Sequence, residues 1–200
     1  MMKLLWLLWG VLASLTVGAQ WNKGTIQAGG TFGFEFKKSS DKSSQFEIGL
    51  SPQLGFFVSK HFVAGPQVYI GYSESRNAAG GFHSMLNVLV GPFFRYYAKI
   101  GERVAVFGHV SPLIGGGNER FYTDAKQPYI KTFQLQWEAG PGLAIWLNPN
   151  VALTPAVYYR GRYYNNALMN TNTTSVSATE HGVIFNLGLQ VFLTKTKKQP

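Results

Sequence analysis

One segment of this 200-residue sequence carries residue types that could support hydrolysis. His109 and Ser111 lie two positions apart, and Glu119 follows further along the segment. A histidine, a serine and a carboxylate can serve as base, nucleophile and orienting group in acyl transfer. These three are the candidate catalytic residues. Two residues at i and i+2 are common in strands, however, and we expect the protein not to be an enzyme.

The composition excludes several other kinds of catalytic and binding site. The sequence contains no cysteine, which excludes thiolate zinc sites, disulfide scaffolds and cysteine nucleophiles. It shows no phosphate-binding glycine loop, no clustered histidines and no carboxylates at metal-ligand spacing, so we expect no cofactor and no metal. The net charge is +9, but the basic residues are spread along the chain, and we therefore expect no nucleic-acid partner.

The sequence has few charged and many aromatic residues, which indicates a folded protein that differs from an ordinary soluble domain. Aromatic residues make up 15% of the chain and charged residues only 14%, against about 25% charged residues in an ordinary soluble domain. This composition excludes a disordered chain. The mean hydropathy of −0.02 also excludes a helical membrane bundle. It allows a membrane barrel, because strands that alternate apolar and polar residues average to about zero.

Residues 1–19 predict a secretory signal peptide. Lys3 supplies a positive start, an apolar run extends from Leu4 to Val17, and small residues precede the expected cleavage after Ala19. The run is shorter than the stretch of about 20 apolar residues that a membrane-spanning helix needs. We therefore expect an exported mature chain that begins at Gln20.

The hydrophobic pattern of the mature chain has a period of two, which predicts strands rather than helices. In one segment Phe46, Ile48 and Leu50 alternate with Gln45 and Glu47, and a strand places these two sets on opposite faces. The same alternation recurs along the chain. We predict eight strands, near residues 25–37, 45–58, 62–73, 86–99, 104–115, 133–147, 151–163 and 183–193.

The predicted connections alternate in length. Tight turns are expected at 59–61, 100–103 and 148–150, and long polar connections at 38–44, 74–83, 116–131 and 164–180. Short turns on one rim and long loops on the other are typical of an up-and-down barrel in an outer membrane. We predict an all-β, eight-stranded antiparallel transmembrane barrel over residues 20–193. Both chain ends, including a basic tail at 194–200, should then lie in the periplasm.

The two faces of the strands distinguish a membrane barrel from a soluble one. Bulky residues such as Phe34, Leu54 and Trp137 share one face, and the other face is mostly Gly, Ser, Thr, Gln and Asn. Eight strands leave an interior just wide enough to be filled by side chains. The bulky face would overfill that interior and should meet lipid instead. The alternative, a soluble lipocalin-like carrier, requires the bulky residues inside.

Charged residues with inward parity should form a polar network in the interior: Glu35, Glu47, Arg95, Glu138, Arg160 and Arg162. Buried charges need partners, and we expect Arg160 to lie diagonal to Glu138 on the next strand. This network favours a plugged lumen, and an ion or proton path is the alternative. His109 and Ser111 share the inward parity, which does not suit an enzyme that acts on lipid.

Prolines fall inside predicted strands with the lipid-facing parity. Proline cannot donate a hydrogen bond to a sheet, and a closed barrel has no free edge where that would be harmless. The prolines are symmetric about the tight turns, and we expect three pairs to lie opposite each other: Pro52 and Pro66, Pro92 and Pro112, Pro141 and Pro155. A shared irregularity such as a β-bulge should accompany them.

The run Ser51–Val58, followed after a turn by Val63-Ala64-Gly65, resembles the small, porin-like outer-membrane β-barrel domain family of Bacteroidetes-type bacteria. That family is distantly similar to the OmpX and OmpA-barrel group. The resemblance covers the mature chain and implies an architecture rather than an activity. The last strand resembles the assembly signal of such barrels at Asn186, Gly188, Val191 and Leu193, except that the final residue is leucine rather than an aromatic residue. This resemblance implies the barrel assembly machinery as a partner.

Basic residues lie on or beside the predicted long connections: Lys37, Lys38, Lys42, Arg76, Arg120, Lys126 and Lys131. Phosphates are natural anionic neighbours for them, so we expect outer-membrane lipids and lipopolysaccharide as partners of a monomeric barrel. The expected protein is a non-enzymatic, integral component of the Gram-negative outer membrane, with an envelope-structural, adhesion, ligand-contact or small-pore role. The enzyme alternative is a lipid A deacylase, whose His-x-Ser spacing resembles that of His109 and Ser111.

Overall fold

The computed structural model describes residues 22–38, 44–76, 82–122, 130–165 and 177–194. The strands are β1 (Ile26–Lys38), β2 (Ser44–Phe57), β3 (Phe62–Arg76), β4 (Phe82–Lys99), β5 (Val104–Tyr122), β6 (Ile130–Asn148), β7 (Val151–Asn165) and β8 (Ser177–Leu193). Within the described ranges, no helix is long and apolar enough to cross a membrane. The predicted signal peptide and residues 195–200 of the predicted tail lie outside these ranges.

The strands form one closed antiparallel sheet. Each strand pairs with its neighbours in sequence, and β1 closes the cylinder by pairing with β8. At this seam Ile26 lies opposite Leu193, and Phe34 lies opposite Phe185. The predicted eight-stranded up-and-down barrel is therefore confirmed, and the seam pairs Ile26–Phe34 of β1 with β8.

Several strands are longer than the hydrophobic pattern indicated. The long connections predicted at 116–131 and 164–180 were too long, because β5 continues to Tyr122 and β8 already begins at Ser177. The alternation of apolar residues stops earlier, but backbone pairing continues through polar positions, as where Asn118 lies opposite Lys131. Strands β5 and β6 each have 19 residues, whereas a membrane-spanning strand needs about 10. These strands therefore extend beyond the apolar band on the long-loop side.

The outer surface of the barrel is apolar. Phe34 is 52% exposed, Leu54 41%, Trp137 43% and Leu189 51%, and all four project away from the barrel axis. Large apolar side chains exposed over a whole barrel surface are unusual in a soluble protein and are expected where lipid covers the barrel. The soluble-carrier alternative is therefore wrong, because the residues it needs inside lie outside.

The interior differs between its two halves. The half nearer the long connections is lined mostly by polar side chains, whereas the half nearer the short turns combines apolar side chains with Gln27, Gln190 and Arg95. There a cluster of buried aromatic and small residues fills the lumen, including Phe57, Phe93, Tyr97, Phe107 and Trp146. The alternation of the sequence does not reveal this cluster, because both faces of the strands carry apolar residues near the short turns.

The prolines face lipid, but their predicted pairing is only partly right. The register of β4 with β5 keeps Pro92 opposite Pro112. In contrast, β2 and β3 are offset by two residues from the predicted register, and Pro66 lies opposite Pro92 of β4 instead. The register of β6 with β7 is also offset by two, so Pro141 and Pro155 are not opposite each other.

A glycine before proline allows close strand approach in place of the predicted bulge. Pairing of β2 with β3 is interrupted at the prolines and resumes in the same register, with Gln53 opposite Gln67. A β-carbon on Gly65, which precedes Pro66, would lie 1.9 Å from the carbonyl oxygen of Leu54. Only glycine permits this approach, and its Cα–H faces the carbonyl where proline offers no N–H.

The same close approach recurs at two further Gly-Pro steps. A β-carbon on Gly91 would lie 2.1 Å from the carbonyl oxygen of Pro112, and one on Gly140 would lie 2.2 Å from that of Val157. The obstacle in each case is backbone of the neighbouring strand, which cannot move without breaking the sheet. These glycines therefore determine how closely the strands pack around the prolines.

Replacing Gly91 with alanine should destabilise the barrel. The added methyl group would overlap the Pro112 carbonyl, and overpacking of this kind costs about 1–3 kcal/mol. Gly108→Ala is the matched control on the adjacent strand, since a β-carbon there meets nothing within 4 Å. The measurement is the free energy of unfolding by urea in detergent micelles, followed by tryptophan fluorescence. Equal stability of the two variants would contradict this account of the Gly-Pro steps.

Candidate functional site

A cluster of ionised side chains crosses the polar half of the lumen. Its centre is Glu47 on β2, which is buried. Oε1 of Glu47 accepts a hydrogen bond from Nη1 of Arg160 at 2.8 Å. The same carboxylate also accepts hydrogen bonds from the guanidinium of Arg162 and from the hydroxyl of Tyr69. One carboxylate therefore joins two guanidiniums and a phenol across the barrel.

The cluster continues along β6. Oε1 of Glu138 lies 2.8 Å from Nε and 2.7 Å from Nη2 of Arg160. Gln136 links Glu138 to Arg162, because its Nε2 donates to Glu138 at 3.0 Å and its Oε1 accepts from Nε of Arg162 at 2.9 Å. Glu35 on β1 adds a third carboxylate, with Oε2 4.0 Å from Nη1 of Arg160.

Strand register brings these groups together. Glu138 lies directly opposite Arg160, which corrects the predicted diagonal placement by the same two-residue offset that separates the prolines. On the other side of the lumen, Gly49 lies opposite Gly71, and the ring of Tyr69 covers both. A β-carbon on Gly49 would lie 2.6 Å from that ring, and one on Gly71 would lie 2.5 Å from it. The two glycines thus leave room for the Tyr69 ring, whose hydroxyl reaches Glu47.

Arg95 lies apart from this cluster, in the aromatic half of the lumen. The guanidinium is buried, and its carbon lies 4.4 Å from the centre of the Phe107 ring. It donates hydrogen bonds to Oε1 of Gln53 and to the hydroxyl of Tyr97, both at 3.1 Å. Of the six predicted network residues, five therefore lie in one cluster, and Arg95 is held by neutral and aromatic groups.

The predicted hydrolytic set is not brought together. His109 is buried and stacks on Tyr158, with ring centres 4.6 Å apart. Ser111 is buried and donates its hydroxyl proton to the carbonyl of Pro92 at 3.0 Å. Glu119 lies eight residues further along β5, about 27 Å away at the usual strand rise. His109 and Ser111 are part of the lumen packing.

Glu119 instead belongs to a second polar group that sequence reasoning missed. Nε2 of His83 lies 2.6 Å from Oε1 of Glu119, and Nδ1 of His83 lies 3.0 Å from Oγ of Ser75. These residues line a cavity of about 200 Å³ at the long-loop end of the barrel, which we call the vestibule, together with Gln45 and Tyr164. Ser75 and His83 fall in a segment predicted to be a loop. Extending the strand parity of β3 and β4 would have placed both inside.

Among the described residues, no group of three or more histidine and acidic side chains is arranged to hold a metal ion. The polar side chains of the vestibule, such as Ser75, His83 and Glu119, can form hydrogen bonds and transfer protons. The ionised cluster lies below the vestibule, because Glu47 is two residues after Gln45 on β2 and faces the same side.

No protein-family model and no curated protein matches the sequence. The N-terminal β-barrel domain of OprF from Pseudomonas aeruginosa matches with 11% identity and a TM-score of 0.50, over 86% of this chain and 100% of that chain. Neisserial surface protein A matches with 13% identity and a TM-score of 0.50, over 85% of this chain and 97% of that one. A major outer membrane protein of Thermus thermophilus matches with 10% identity and a TM-score of 0.50, over 84% of this chain and 99% of that one.

At these identities the likeness concerns the fold. The matched structures are β-barrels of outer-membrane proteins, and this barrel has the closed ladder and apolar outer belt that such a location requires. The chain is a transmembrane β-barrel. Among the described residues, most polar side chains face the lumen or lie at the rims.

Replacing Glu47 with glutamine should strongly destabilise the barrel. The substitution leaves the guanidiniums of Arg160 and Arg162 buried with one fewer carboxylate, and removing one partner of a buried ion pair costs about 3–5 kcal/mol. Glu102→Gln, in the exposed turn between β4 and β5, is the charge-matched control and should change stability by less than about 0.5 kcal/mol. Urea unfolding in detergent micelles provides the measurement. A Glu47→Gln variant as stable as the control would show that the cluster does not hold the lumen together.

Proposed function

We propose that this protein is a closed, integral outer-membrane barrel that works through its long-loop end rather than as a channel. The observation that carries this proposal is the filling of the lumen. The ionised cluster crosses the polar half, and buried aromatic side chains occupy the half nearer the short turns. A pore would require an open path through both.

The charged residues of the lumen are well suited to act as a plug. The six buried residues of the predicted interior network comprise three carboxylates and three guanidiniums, so their charges balance: Glu35, Glu47, Glu138, Arg95, Arg160 and Arg162. A balanced and hydrogen-bonded set has little free energy to gain from admitting ions. The small-pore role is therefore the less supported of the expected roles, and an envelope-structural or ligand-contact role is favoured.

The proposed orientation places the short turns in the periplasm and the vestibule outside the cell. It is supported by the predicted signal peptide and by the first and last strands, which begin and end at the short-turn rim. Arg76, Arg120 and Lys131 then lie near the outer leaflet, where lipopolysaccharide phosphates are the proposed partners. The proposal also includes a monomeric state and recognition of β8 by the barrel assembly machinery.

Within this fold class we propose membership of the small-barrel family of Bacteroidetes-type bacteria. The support is the run Ser51–Val58 with the following Val63-Ala64-Gly65. In the structure this run forms the end of β2, and Gly65 is one of the glycines that allow close strand approach. The motif therefore describes how the barrel is built and leaves its ligand open.

Planar bilayers containing the purified protein should show no conductance steps. The two filled halves of the lumen leave no continuous aqueous path for ions. A large open porin inserted in the same bilayer serves as the positive control for detection. Reproducible steps from the unmodified protein would overturn the proposal of a closed barrel.

Cysteine labelling can test the proposed orientation, since the natural chain contains no cysteine. Arg76→Cys lies at the long-loop end of β3, and Lys60→Cys lies in the exposed turn between β2 and β3. A membrane-impermeant maleimide should label the first variant in intact cells and the second only after the outer membrane is permeabilised. The reverse pattern would place the vestibule in the periplasm, and labelling of neither after permeabilisation would argue against both orientations.

A further inference from the structure

The vestibule lies at the long-loop end of the barrel, where outward-facing positions of β5 and β6 become polar. Glu119 lies opposite Met85 on β4, and the adjacent outward-facing pair on β5 and β6 is Asn118 and Lys131. The side chains of His83 and Glu119 are 26% and 21% exposed. The vestibule is therefore accessible to water and soluble molecules while it stays enclosed by strands.

A nucleophile, a base and an orienting acid are in contact inside this cavity. Oγ of Ser75 lies 3.0 Å from Nδ1 of His83, and the hydroxyl donates to this nitrogen when the imidazole proton resides on Nε2. That nitrogen lies 2.6 Å from Oε1 of Glu119, and the negative charge of the carboxylate favours a proton on Nε2 and so favours this tautomer. Thr132 donates to the other oxygen of Glu119 at 3.4 Å. The order serine, histidine, carboxylate is the one required to activate a serine hydroxyl.

The strand register supplies a further group beside the nucleophile. Ser75 lies directly opposite His83 of β4 on one side and opposite Gln45 of β2 on the other. Side chains opposite each other in a sheet have β-carbons about 5 Å apart. The amide of Gln45 can therefore donate a hydrogen bond to an oxygen that becomes negatively charged next to Ser75.

From this arrangement we propose that the vestibule hydrolyses small, water-soluble carboxylic esters, with Ser75 as nucleophile. Oγ of Ser75 bonds to the ester carbonyl carbon as its proton passes to Nδ1 of His83. The bond to the leaving alkoxide then breaks, and the alkoxide takes that proton from His83 and departs as an alcohol. Water next attacks the acyl-serine, giving its proton to His83, which returns it to Ser75 as the carboxylic acid leaves.

The cavity limits the substrate to a small molecule. Its volume is about 200 Å³, smaller than the about 300–1,000 Å³ typical of sites for drug-sized ligands. Met85 and Tyr164 provide apolar surface for a short acyl chain beside the polar groups. Because the nucleophile faces the lumen and not the lipid, acyl chains of membrane lipids are not the proposed substrates.

The experiment uses the full-length mature protein refolded in detergent micelles, with p-nitrophenyl acetate as substrate and a fluorophosphonate as covalent probe. The expected result is ester hydrolysis together with a probe adduct that peptide mass spectrometry assigns to Ser75. Ser75→Ala should abolish the adduct and lower hydrolysis at least 100-fold. Ser84→Ala, a neighbouring serine with outward parity, should keep both.

The base and the orienting acid are tested separately. His83→Gln should slow probe labelling of Ser75 by about 100-fold or more, because a lost general base costs about 10²–10⁴-fold in rate. Glu119→Gln should slow it to a smaller extent, since it removes only the orienting charge. The heat-dependent mobility shift on gel electrophoresis verifies that each variant is folded. Hydrolysis that is equal in folded Ser75→Ala, or an adduct on another residue, would overturn the proposal.

This inference is independent of the proposed role in the envelope. A conducting barrel or a reversed orientation would leave the contacts of Ser75 unchanged. Conversely, the absence of ester hydrolysis would leave the closed lumen and the labelling pattern unaffected. The two proposals therefore fail in different experiments.

Discussion

Backbone hydrogen bonding in lipid is the constraint on which this structure depends. An unpaired N–H or carbonyl group inside a bilayer costs several kcal/mol, so a sheet that crosses it must close on itself. Here β1 completes the ladder by pairing with β8 from Ile26 to Phe34. Closure with only eight strands produces a narrow cylinder. The apolar outer surface and the densely filled interior both follow from that geometry.

The narrow lumen explains why charge and aromatic packing are separated along its length. Near the short turns, aromatic rings fill the cross-section and surround Arg95. In the half nearer the long connections, Glu47 accepts hydrogen bonds from two guanidiniums and a phenol, so its buried negative charge is paired. The aromatic cluster and the ionised cluster each fill one half of the lumen. Within the described part of the lumen, the vestibule above the ionised cluster is the cavity with partly exposed polar side chains.

The length of the strands relative to the membrane creates that vestibule. The next three outward-facing positions of β5 after Ile114 are Gly116, Asn118 and Arg120, and Lys131 precedes Phe133 on β6, so this part of the barrel wall extends into water. Ser75, His83 and Glu119 lie on three successive strands within this extension. Strands position side chains more rigidly than loops do, and a site built there keeps its geometry without help from the connections.

The sequence by itself determined the strand number, the closed up-and-down fold and the face on which Phe34 or Glu47 would lie, because alternation along a strand is a local property. The tertiary structure decided which residues lie opposite each other on neighbouring strands, which the alternation of the sequence does not show. A two-residue offset leaves every side chain on its own face, yet it moved Arg160 directly opposite Glu138 and separated Pro141 from Pro155. Proximity across strands likewise joined Glu119 to His83 rather than to His109, because contacts between distant segments depend on register and barrel closure.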